Sequence, residues 1–193
     1  MNSHTVAGAS DPFLRPSFPL ADRARRQLWN IVALLLFRPS PRPAHAWRAF
    51  LLRLFGAHLG ANCHIYPSVE IWAPWNLRCG ETVAIADGAV IYNPGPVSIG
   101  SHAIISQQAY LCGASHDYTD PAFPLVSAPI QIGPRAWICA RAAVQMNVRV
   151  GEGAVLGLAS VATRDLEPWT VYAGIPARAI KSRSQCGGRA VAD

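Results

Sequence analysis

The 193-residue chain lacks the features that mark several common classes of protein. Its five cysteines are odd in number and contain no C-x-x-C pair, so the sequence predicts neither a disulfide framework nor a zinc site. The longest apolar run, IVALLLF at 31–37, is far shorter than the roughly 20 residues that span a bilayer. No signal peptide is expected, because residues 1–20 contain no continuous apolar segment. These absences favour a reducing, cytoplasmic location.

Charge is also scarce, and it is unevenly distributed. Charged residues make up 15% of the chain and apolar residues 51%, which excludes disorder over the whole chain. The net charge of +6 comes mainly from arginines near the two ends. The nearly neutral centre argues against a nucleic-acid groove on the main domain. At the ends, the cations are suited to an anionic membrane surface or a phosphate-bearing ligand.

The N-terminal part predicts a flexible lead followed by two helices. Residues 1–20 are rich in Ser, Pro and small residues, which favours the lead. Apolar residues at helical spacing predict a helix over 21–37, and the prolines of RPSPRP at 38–43 end it. A second helix is predicted over 44–57. The predicted stripe of the first helix consists of Leu28, Ile31, Val32, Leu35 and Leu36. Packing in a core is favoured for the IVALLLF run over contact with a membrane.

A six-residue period governs residues 59–166. Examples are LGANCH from Leu59, CGETVA from Cys79 and IGPRAW from Ile132. The first position is nearly always aliphatic, the second is often Gly, and the fifth is small. A fixed short period indicates stacked repeats. Three such units close one triangular coil, with the first and fifth positions pointing inward.

Two further expectations follow from this period. Gly at the second position is expected to supply positive φ at the corners of the coil. The helices over 21–57 are placed to cap the exposed edge, and 167–193 forms a C-terminal tail. An ordinary β-sandwich is the alternative, and it is disfavoured because a sandwich has no need of a period of six.

The period breaks at LCGASHDYTDPAFPL, residues 111–125, and resumes at Ile132, which predicts a protruding loop at about 112–131. His116 is the only histidine of this loop, and a neutral imidazole can take a proton from a hydroxyl. Asp117 is placed to orient it, while Tyr118 and Phe123 are candidates for a substrate-binding wall. Cys112 leaves a Cys–His acyl-enzyme open, although a structural role is favoured. The alternative to a catalytic role for His116 is that it is a surface histidine held in place by the turn.

Beyond the hexads, several longer stretches resemble a known family. They are WAPWNL at 72–77, VIYNPGPVSIG at 90–100, ISQQAYLC at 105–112, SHDYTDPAFPL at 115–125 and EPWTVYAGIPARAIKSR at 167–183. Together with the hexads, they resemble the hexapeptide-repeat acyltransferases, in particular the acetyltransferases of colanic acid and exopolysaccharide biosynthesis. These are kin of the maltose and galactoside O-acetyltransferases. The resemblance covers about residues 19–183 and implies an all-β fold, a left-handed parallel β-helix.

The same resemblance implies an activity and a set of site residues. It implies acetyl-CoA as co-substrate, no metal, and a sugar hydroxyl of exopolysaccharide or lipopolysaccharide biosynthesis as acceptor. His116 matches the family's general base, which promotes direct attack on the thioester, and Asn93 matches a residue that positions the acceptor. The residues that match the coenzyme A site are Trp137, Ala140, Leu158, Thr163, Arg164, Arg178 and Lys181. The family assembles as homotrimers with active sites between neighbouring subunits, so one site is expected to draw on two chains.

Some residues depart from the family pattern, and some alternatives stay open. Cys139 and Gln145 replace the usual Gly, and Met146–Asn147 replace a Pro-Gly pair; these changes are expected on the coenzyme A side. Other acceptors, namely serine, an antibiotic or an amino sugar, would fit the same fold, as would a non-catalytic scaffold. A further hypothesis places the basic N-terminal helices against the inner face of the cytoplasmic membrane, with Leu28, Trp29 and Leu34 as contacts.

Overall fold

The computed structural model describes residues 4–5 and 16–184 of the chain. Helix α1 spans Leu20–Val32 and continues without a break into a π-helical segment, Ala33–Phe37. Helix α2 spans His45–Leu54. Most of the lead expected over 1–20 lies outside the described residues. Within the described part of the chain, no helix has the length and hydropathy needed to cross a bilayer.

Short strands make up most of the remaining chain, with one 3-10 turn at Pro74–Asn76. In chain order the strands are β1 (His4–Thr5), β2 (His58–Leu59), β3 (His64–Ile65), β4 (Glu70–Ile71), β5 (Leu77–Cys79), β6 (Ala84–Ile85), β7 (Val90–Tyr92), β8 (Val97–Ile99), β9 (Ile104–Ile105), β10 (Tyr110–Cys112), β11 (Ala114–His116), β12 (Leu125–Ser127), β13 (Ile130–Ile132), β14 (Trp137–Ile138), β15 (Ala143–Gln145), β16 (Arg149–Val150), β17 (Val155–Leu156), β18 (Val161–Ala162), β19 (Thr170–Ala173) and β20 (Arg178–Ser182).

These strands stack into three parallel faces, as the six-residue period predicts. The first face is β2–β5–β8–β13–β16, the second is β3–β6–β9–β14–β17–β19, and the third is β4–β7–β10–β15–β18. From β2 to β18 the chain visits the faces in that order, one strand at a time, apart from β11 and β12. The fold is a left-handed parallel β-helix, which confirms the predicted fold class. At the C-terminal end, β20 pairs antiparallel with β19 and extends the second face.

The core lies inside the triangular coil and consists of the predicted hexad positions. In the coil that begins at Ile132, the buried residues are Ile132, Ala136, Ile138, Ala142, Val144 and Val148, which occupy the first and fifth positions in turn. The same alternation continues along the helix axis, so one apolar column joins all coils. Small residues recur at the fifth position because three inward-pointing sides share a narrow interior.

The glycines of the second position have a different role from the expected one. Gly60, Gly80, Gly100, Gly133 and Gly151 all lie at the corner between the first and second faces, and none has positive φ. A Cβ atom at Gly133 would lie 2.7 Å from the backbone nitrogen of Glu152 in the next coil, so close stacking of coils requires glycine there. Positive φ falls instead on the fourth position of many hexads, including Asn62, Thr82, His102, Arg135 and Asn147. Asn147 thus adopts the left-handed conformation that an asparagine tolerates well.

The N-terminal helices cap the first coil of the β-helix. Because β2, β3 and β4 are edge strands, some of their carbonyl oxygens have no neighbouring strand. Side chains of the helices donate to these oxygens instead. The bonds are Trp29 Nε1 to Ile71 O (2.7 Å), Arg48 Nε to Ile65 O (2.6 Å) and Arg53 Nη2 to Gly60 O (2.9 Å). Part of the N-terminal arginine surplus therefore serves the fold.

The predicted apolar stripe of α1 is not the buried one. Trp29 and Phe37 enter the core, whereas Leu28, Ile31, Leu35 and Leu36 are exposed to solvent. The prediction that the IVALLLF run packs in a core is therefore wrong for most of its residues. The reason is that the helices lie across the end of a narrow coil, which can accept only one side of each helix. Exposed apolar side chains also cover α2, where Trp47, Phe50 and Leu54 point outward.

Candidate active site

The break in the hexads is a β-hairpin that leaves the β-helix between the third and first faces. Strand β10 ends at Cys112, β11 and β12 pair antiparallel, and β13 resumes the first face. His116 is the last residue of β11 and lies opposite Leu125 of β12. The Asp117 N–H donates to the Pro124 carbonyl at 3.0 Å and closes the hairpin loop. The histidine is therefore carried by a hydrogen-bonded element rather than by an irregular loop.

The hairpin fixes both the orientation and the tautomer of His116. Its Nδ1 lies 2.8 Å from the carbonyl oxygen of Phe123. A carbonyl oxygen only accepts, so Nδ1 carries the proton and the lone pair of the neutral ring is on Nε2. The Phe123 ring stacks on the imidazole, with centroids 4.7 Å apart and planes 7° from parallel. This arrangement suits a general base that acts through Nε2.

Phe123 holds an uncommon backbone conformation to make these contacts. Its φ is +47°, a region that bulky residues seldom occupy. The turn before it is tied together by Asp120, whose carbonyl accepts from the Phe123 N–H and whose carboxylate accepts from the Ala122 N–H, each at 2.8 Å. Phe123 thus supports the imidazole directly, in addition to the substrate-wall role expected for it. Tyr118 is 86% exposed at the tip of the hairpin.

Asp117 does not take the orienting role expected for it. Its carboxylate accepts hydrogen bonds from the hydroxyl of Thr119 at 2.6 Å and from the backbone N–H of Thr119 at 2.9 Å. These bonds lower the pKa of the Asp117 carboxyl below its ordinary value. The physical reason is a local one: the aspartate closes a turn on the residue two positions ahead, so its carboxylate is engaged by Thr119. The Phe123 carbonyl orients His116 instead.

A pocket of about 490 Å³ opens beside His116. Its walls are formed by Cys112, Ala114, Ser115, His116, Tyr118, Ala128, Gln145, Met146, Asn147 and Thr163. Gln145 and Met146, which were expected on the coenzyme A side, thus face the catalytic histidine candidate. The signal for this was present in the sequence, because Gln145 occupies the hexad position one coil above Cys112, and the two pair across β10 and β15.

Cys112 and Asn93 are tied to the backbone of the β-helix. The Cys112 thiol lies 3.3 Å from the carbonyl of Ala114, so its proton is directed there rather than to His116. Asn93 is fully buried, and its side-chain amide makes a reciprocal pair with the backbone of Ala73: it accepts from the N–H at 2.9 Å and donates to the carbonyl at 2.7 Å. Asn93 therefore braces the corner beneath the hairpin, and the structure places its amide away from the pocket.

Most residues expected to bind coenzyme A lie on the second face or at its edges. Trp137 on β14 is 44% exposed and donates from Nε1 to the Ser106 hydroxyl at 2.8 Å, which fixes its indole. Leu158 is exposed, and Ala140 stacks under the same corner, where its carbonyl accepts from the N–H of the residue after Leu158 at 3.0 Å. Arg178 and Lys181 are exposed on β20.

The second face and the His116 hairpin lie on opposite sides of one chain. In a three-sided coil, the corner between the third and first faces is the one that the second face does not touch. Thr163 lines the pocket at that corner, and Arg164 follows it on the surface. Of the expected coenzyme A residues, therefore, only Thr163 is a pocket neighbour of His116. Among the described residues, no three His, Cys, Asp or Glu side chains cluster in a way that could hold a metal ion.

Comparison with known proteins places the chain in a family. No family model matches it. It is 41% identical over 157 residues to the Escherichia coli (strain K12) protein named "Putative colanic acid biosynthesis acetyltransferase WcaF". This match covers 81% of this chain and 86% of that protein. It is 27% identical over 137 residues to the galactoside O-acetyltransferase of Escherichia coli (strain K12), covering 69% of this chain and 68% of that protein.

A solved structure supports the same assignment. The fold matches the hexapeptide-repeat acetyltransferase VCA0836 of Vibrio cholerae O1 biovar eltor in complex with acetyl coenzyme A. The TM-score is 0.77 and the identity 26%, over 87% of this chain and 93% of that one. A relative above 40% identity and the shared fold agree. The chain belongs to the hexapeptide-repeat acetyltransferases.

Proposed function

We propose that this protein transfers an acetyl group from acetyl-CoA to a sugar hydroxyl in exopolysaccharide or lipopolysaccharide biosynthesis. The observation that carries the proposal is the fixed tautomer of His116, whose unprotonated Nε2 belongs to a ring that borders an open pocket. The sugar acceptor is supported by the likeness to a galactoside O-acetyltransferase. The pathway is supported by the likeness to WcaF, whose name refers to colanic acid.

The chemistry requires one proton to move twice. His116 Nε2 accepts the proton of the acceptor hydroxyl while the oxygen attacks the thioester carbonyl. The tetrahedral intermediate then expels the coenzyme A thiolate, and the imidazolium returns the proton to the sulfur. The products are the acetyl ester and coenzyme A. The Nδ1–H bond to Phe123 persists throughout and stabilises the imidazolium.

The proposed enzyme is a homotrimer with sites shared between subunits. One chain places the His116 hairpin at one corner and Trp137, Arg178 and Lys181 on the face opposite that corner, with Leu158 at the edge of that face. A single chain cannot bring the two sets together, whereas the second face of a neighbouring copy can meet the hairpin. The flat, partly apolar second face, with Ile104 and Trp137 exposed, is suited to such a contact.

The outward side of the N-terminal helices is proposed to rest on an anionic membrane. We name this surface the helical apolar face; it consists of Leu28, Ile31, Leu34, Leu35, Leu36, Trp47, Phe50 and Leu54, all exposed. Trp47 donates to the Leu36 carbonyl at 3.0 Å and joins the α1 and α2 parts of the face. Trp29, an expected contact, is buried and does not belong to it. Exposed arginines such as Arg23 and Arg53 flank the face and favour anionic lipids.

Substitution of His116 tests the proposed reaction. The His116→Ala variant is expected to lose acetyl transfer by about 10²- to 10⁴-fold in kcat, the usual contribution of a positioned base. Release of coenzyme A from acetyl-CoA in the presence of candidate sugars measures it, and calorimetry should find acetyl-CoA binding retained. The control is His58→Ala, which changes an exposed histidine on the first face. Unchanged turnover in His116→Ala would contradict the mechanism, and absence of acetyl-CoA binding by the native protein would favour a scaffold.

A further inference from the structure

We propose that a groove on the third face binds sugar units of the acceptor other than the one that is acetylated. The inference rests on the proposed function and adds the length of the acceptor to it: an oligosaccharide rather than a single sugar. We name this surface the aromatic groove. Its characteristic residues are Trp72, Tyr92 and Tyr110.

The aromatic groove is a separate cavity from the His116 pocket. It measures about 440 Å³ and lies between the N-terminal helix and the third face. The helix contributes Trp29, Asn30, Ala33 and Leu34, and the strands contribute the three aromatic residues. An ion pair between Arg38 and Glu70, 3.0 Å long, lies at its edge. The lining thus combines flat apolar rings with polar groups, as in many small-molecule sites.

Strand register connects the groove to the pocket by a row of side chains. Tyr92 of β7 is paired with Cys112 of β10, and Cys112 is paired with Gln145 of β15. Trp72 lies beside Tyr92, with ring centroids 5.8 Å apart. Alternate residues of a strand point to the same side, so these side chains form one outward row across four strands. The row begins in the aromatic groove and ends in the wall of the His116 pocket, where Cys112 and Gln145 are found.

The length of this row determines the size of the acceptor. Neighbouring strands are about 4.8 Å apart, so the row extends about 10 Å from Trp72 to Cys112 before it reaches the pocket. This is longer than one pyranose ring. A sugar placed for attack at His116 therefore leaves the aromatic groove to further units of the same acceptor.

The chemistry of the lining suits a saccharide. Aromatic rings pack against the apolar C–H faces of pyranoses, while their hydroxyls can bond to sugar hydroxyls. Tyr110 is the most open ring, because Phe18 and the Arg26 guanidinium, 4.2 Å from the ring centroid, cover part of Trp72. Burial first, and Cys112 second, raise the pKa of Tyr92 and of Tyr110, which favours the protonated, hydrogen-bond-donating form of both hydroxyls.

The position of the groove also relates it to the membrane. Leu34 lines the groove and is part of the helical apolar face. A lipid-linked acceptor would place its lipid beside the helices and extend its sugars along the groove toward His116. The arrangement requires no movement of the β-helix.

The test compares two lengths of one acceptor. De-O-acetylated colanic acid is cleaved into oligosaccharides of one repeating unit and, separately, into monosaccharides, and kcat/KM is measured for both with acetyl-CoA. Tyr110→Ala and Tyr92→Ala are expected to lose about tenfold in kcat/KM with the oligosaccharide, the factor that 1.4 kcal/mol of binding gives. With the monosaccharides, and in the KM for acetyl-CoA, both variants should match the native protein. Tyr110→Phe keeps the ring and should keep most of the efficiency.

A matched control tests whether the removal of any exposed aromatic ring lowers kcat/KM in the same way. Phe50→Ala removes an exposed ring of α2 outside the aromatic groove and should leave both values unchanged. Equal losses with both acceptor lengths, or no loss with the oligosaccharide, would overturn the inference, as would equal efficiency of the native protein with both lengths. If the native protein acetylates neither, the proposed function is what fails, and the groove inference falls with it.

Discussion

At the scale of residues, Phe123 and His116 form the unit on which the proposed chemistry depends. The sequence predicted His116 because the hexads stop and resume around it. It could not predict the partner, since the orienting group is a backbone carbonyl whose direction follows from a φ of +47° at Phe123. Asp117 was the natural choice from the sequence, yet its carboxylate is used by Thr119. Adjacency in sequence is a poor guide to which side chains meet when a tight turn intervenes.

Substitution of Asp117 distinguishes these two roles. Asp117→Asn keeps an oxygen that can accept from the Thr119 N–H, so we expect the turn to persist and kcat to stay within about tenfold of the native value. A carboxylate that orients a catalytic histidine is worth far more, about 10⁴-fold in the best-known case. Steady-state kinetics over a range of pH makes the comparison, with Thr119→Val as the matched control for the turn. If kcat fell a thousandfold or more in Asp117→Asn but not in Thr119→Val, the orienting role would belong to Asp117 after all.

Residues of the pocket show where sequence patterns were informative and where they were not. The hexad register predicted the core positions correctly, because a first or fifth position has only one direction in which to point. The outward positions carry no such constraint. Asn93 was matched to an acceptor-binding role, but both polar atoms of its side-chain amide are hydrogen-bonded to the backbone of Ala73. Gln145 and Met146, expected on the coenzyme A side, line the pocket beside His116, and their coenzyme A role stays a prediction.

At the scale of elements, α1 and α2 combine a buried capping side with an exposed apolar side. Hydropathy predicted both helices but assigned the wrong stripe to the core, because it cannot distinguish a helix that packs along a wide sheet from one that lies across a narrow end. Trp29 was thus predicted as a surface contact and is buried, whereas the leucines around it are exposed. Removal of the two helices would expose the first coil, so point substitutions test the membrane hypothesis better than a deletion.

Two such substitutions on α1 are informative. Leu34 and Leu35 are 64% and 63% exposed, and the double variant Leu34→Glu/Leu35→Glu should sediment far less with vesicles of phosphatidylcholine and phosphatidylglycerol, because it adds two negative charges to the apolar face. Leu158→Glu is the control, since Leu158 is 70% exposed on the β-helix. Sedimentation of the double variant at the native level would contradict membrane contact. A change in oligomeric mass measured by light scattering would instead assign the face to a subunit contact.

At the scale of the whole molecule, the three-sided coil determines how sites can be assembled. The His116 hairpin occupies one corner, whereas most of the residues matched to coenzyme A lie on the opposite face or at its edges. This separation follows from the order in which the chain visits the faces, so the sequence contained it, but only once the strands were assigned to faces. A light-scattering mass of three times 20.8 kDa is expected in solution.

Mixing of two inactive variants tests whether sites are shared. His116→Ala and Trp137→Ala are each expected to have little activity, and co-expression should yield mixed trimers in which some sites combine an intact His116 of one chain with an intact Trp137 of another. Activity of the mixture should therefore exceed that of either variant alone. The control is a mixture of two His116 variants, Ala and Asn, which should stay inactive. No recovery in the first mixture, with mixed trimers verified by mass spectrometry, would place each site within one chain.

The capping bonds of Trp29, Arg48 and Arg53 have a consequence for how large this molecule can become. A stack of parallel coils is a template for more coils, and an open end could recruit another copy and grow into a fibre. Here the arginine and tryptophan donors occupy the carbonyls on which such growth would begin, and β20 runs antiparallel at the other end, where a further parallel coil would have to dock. Both ends of the column are therefore blocked against the addition of a further coil, which leaves the faces as the surfaces open to the proposed subunit contacts.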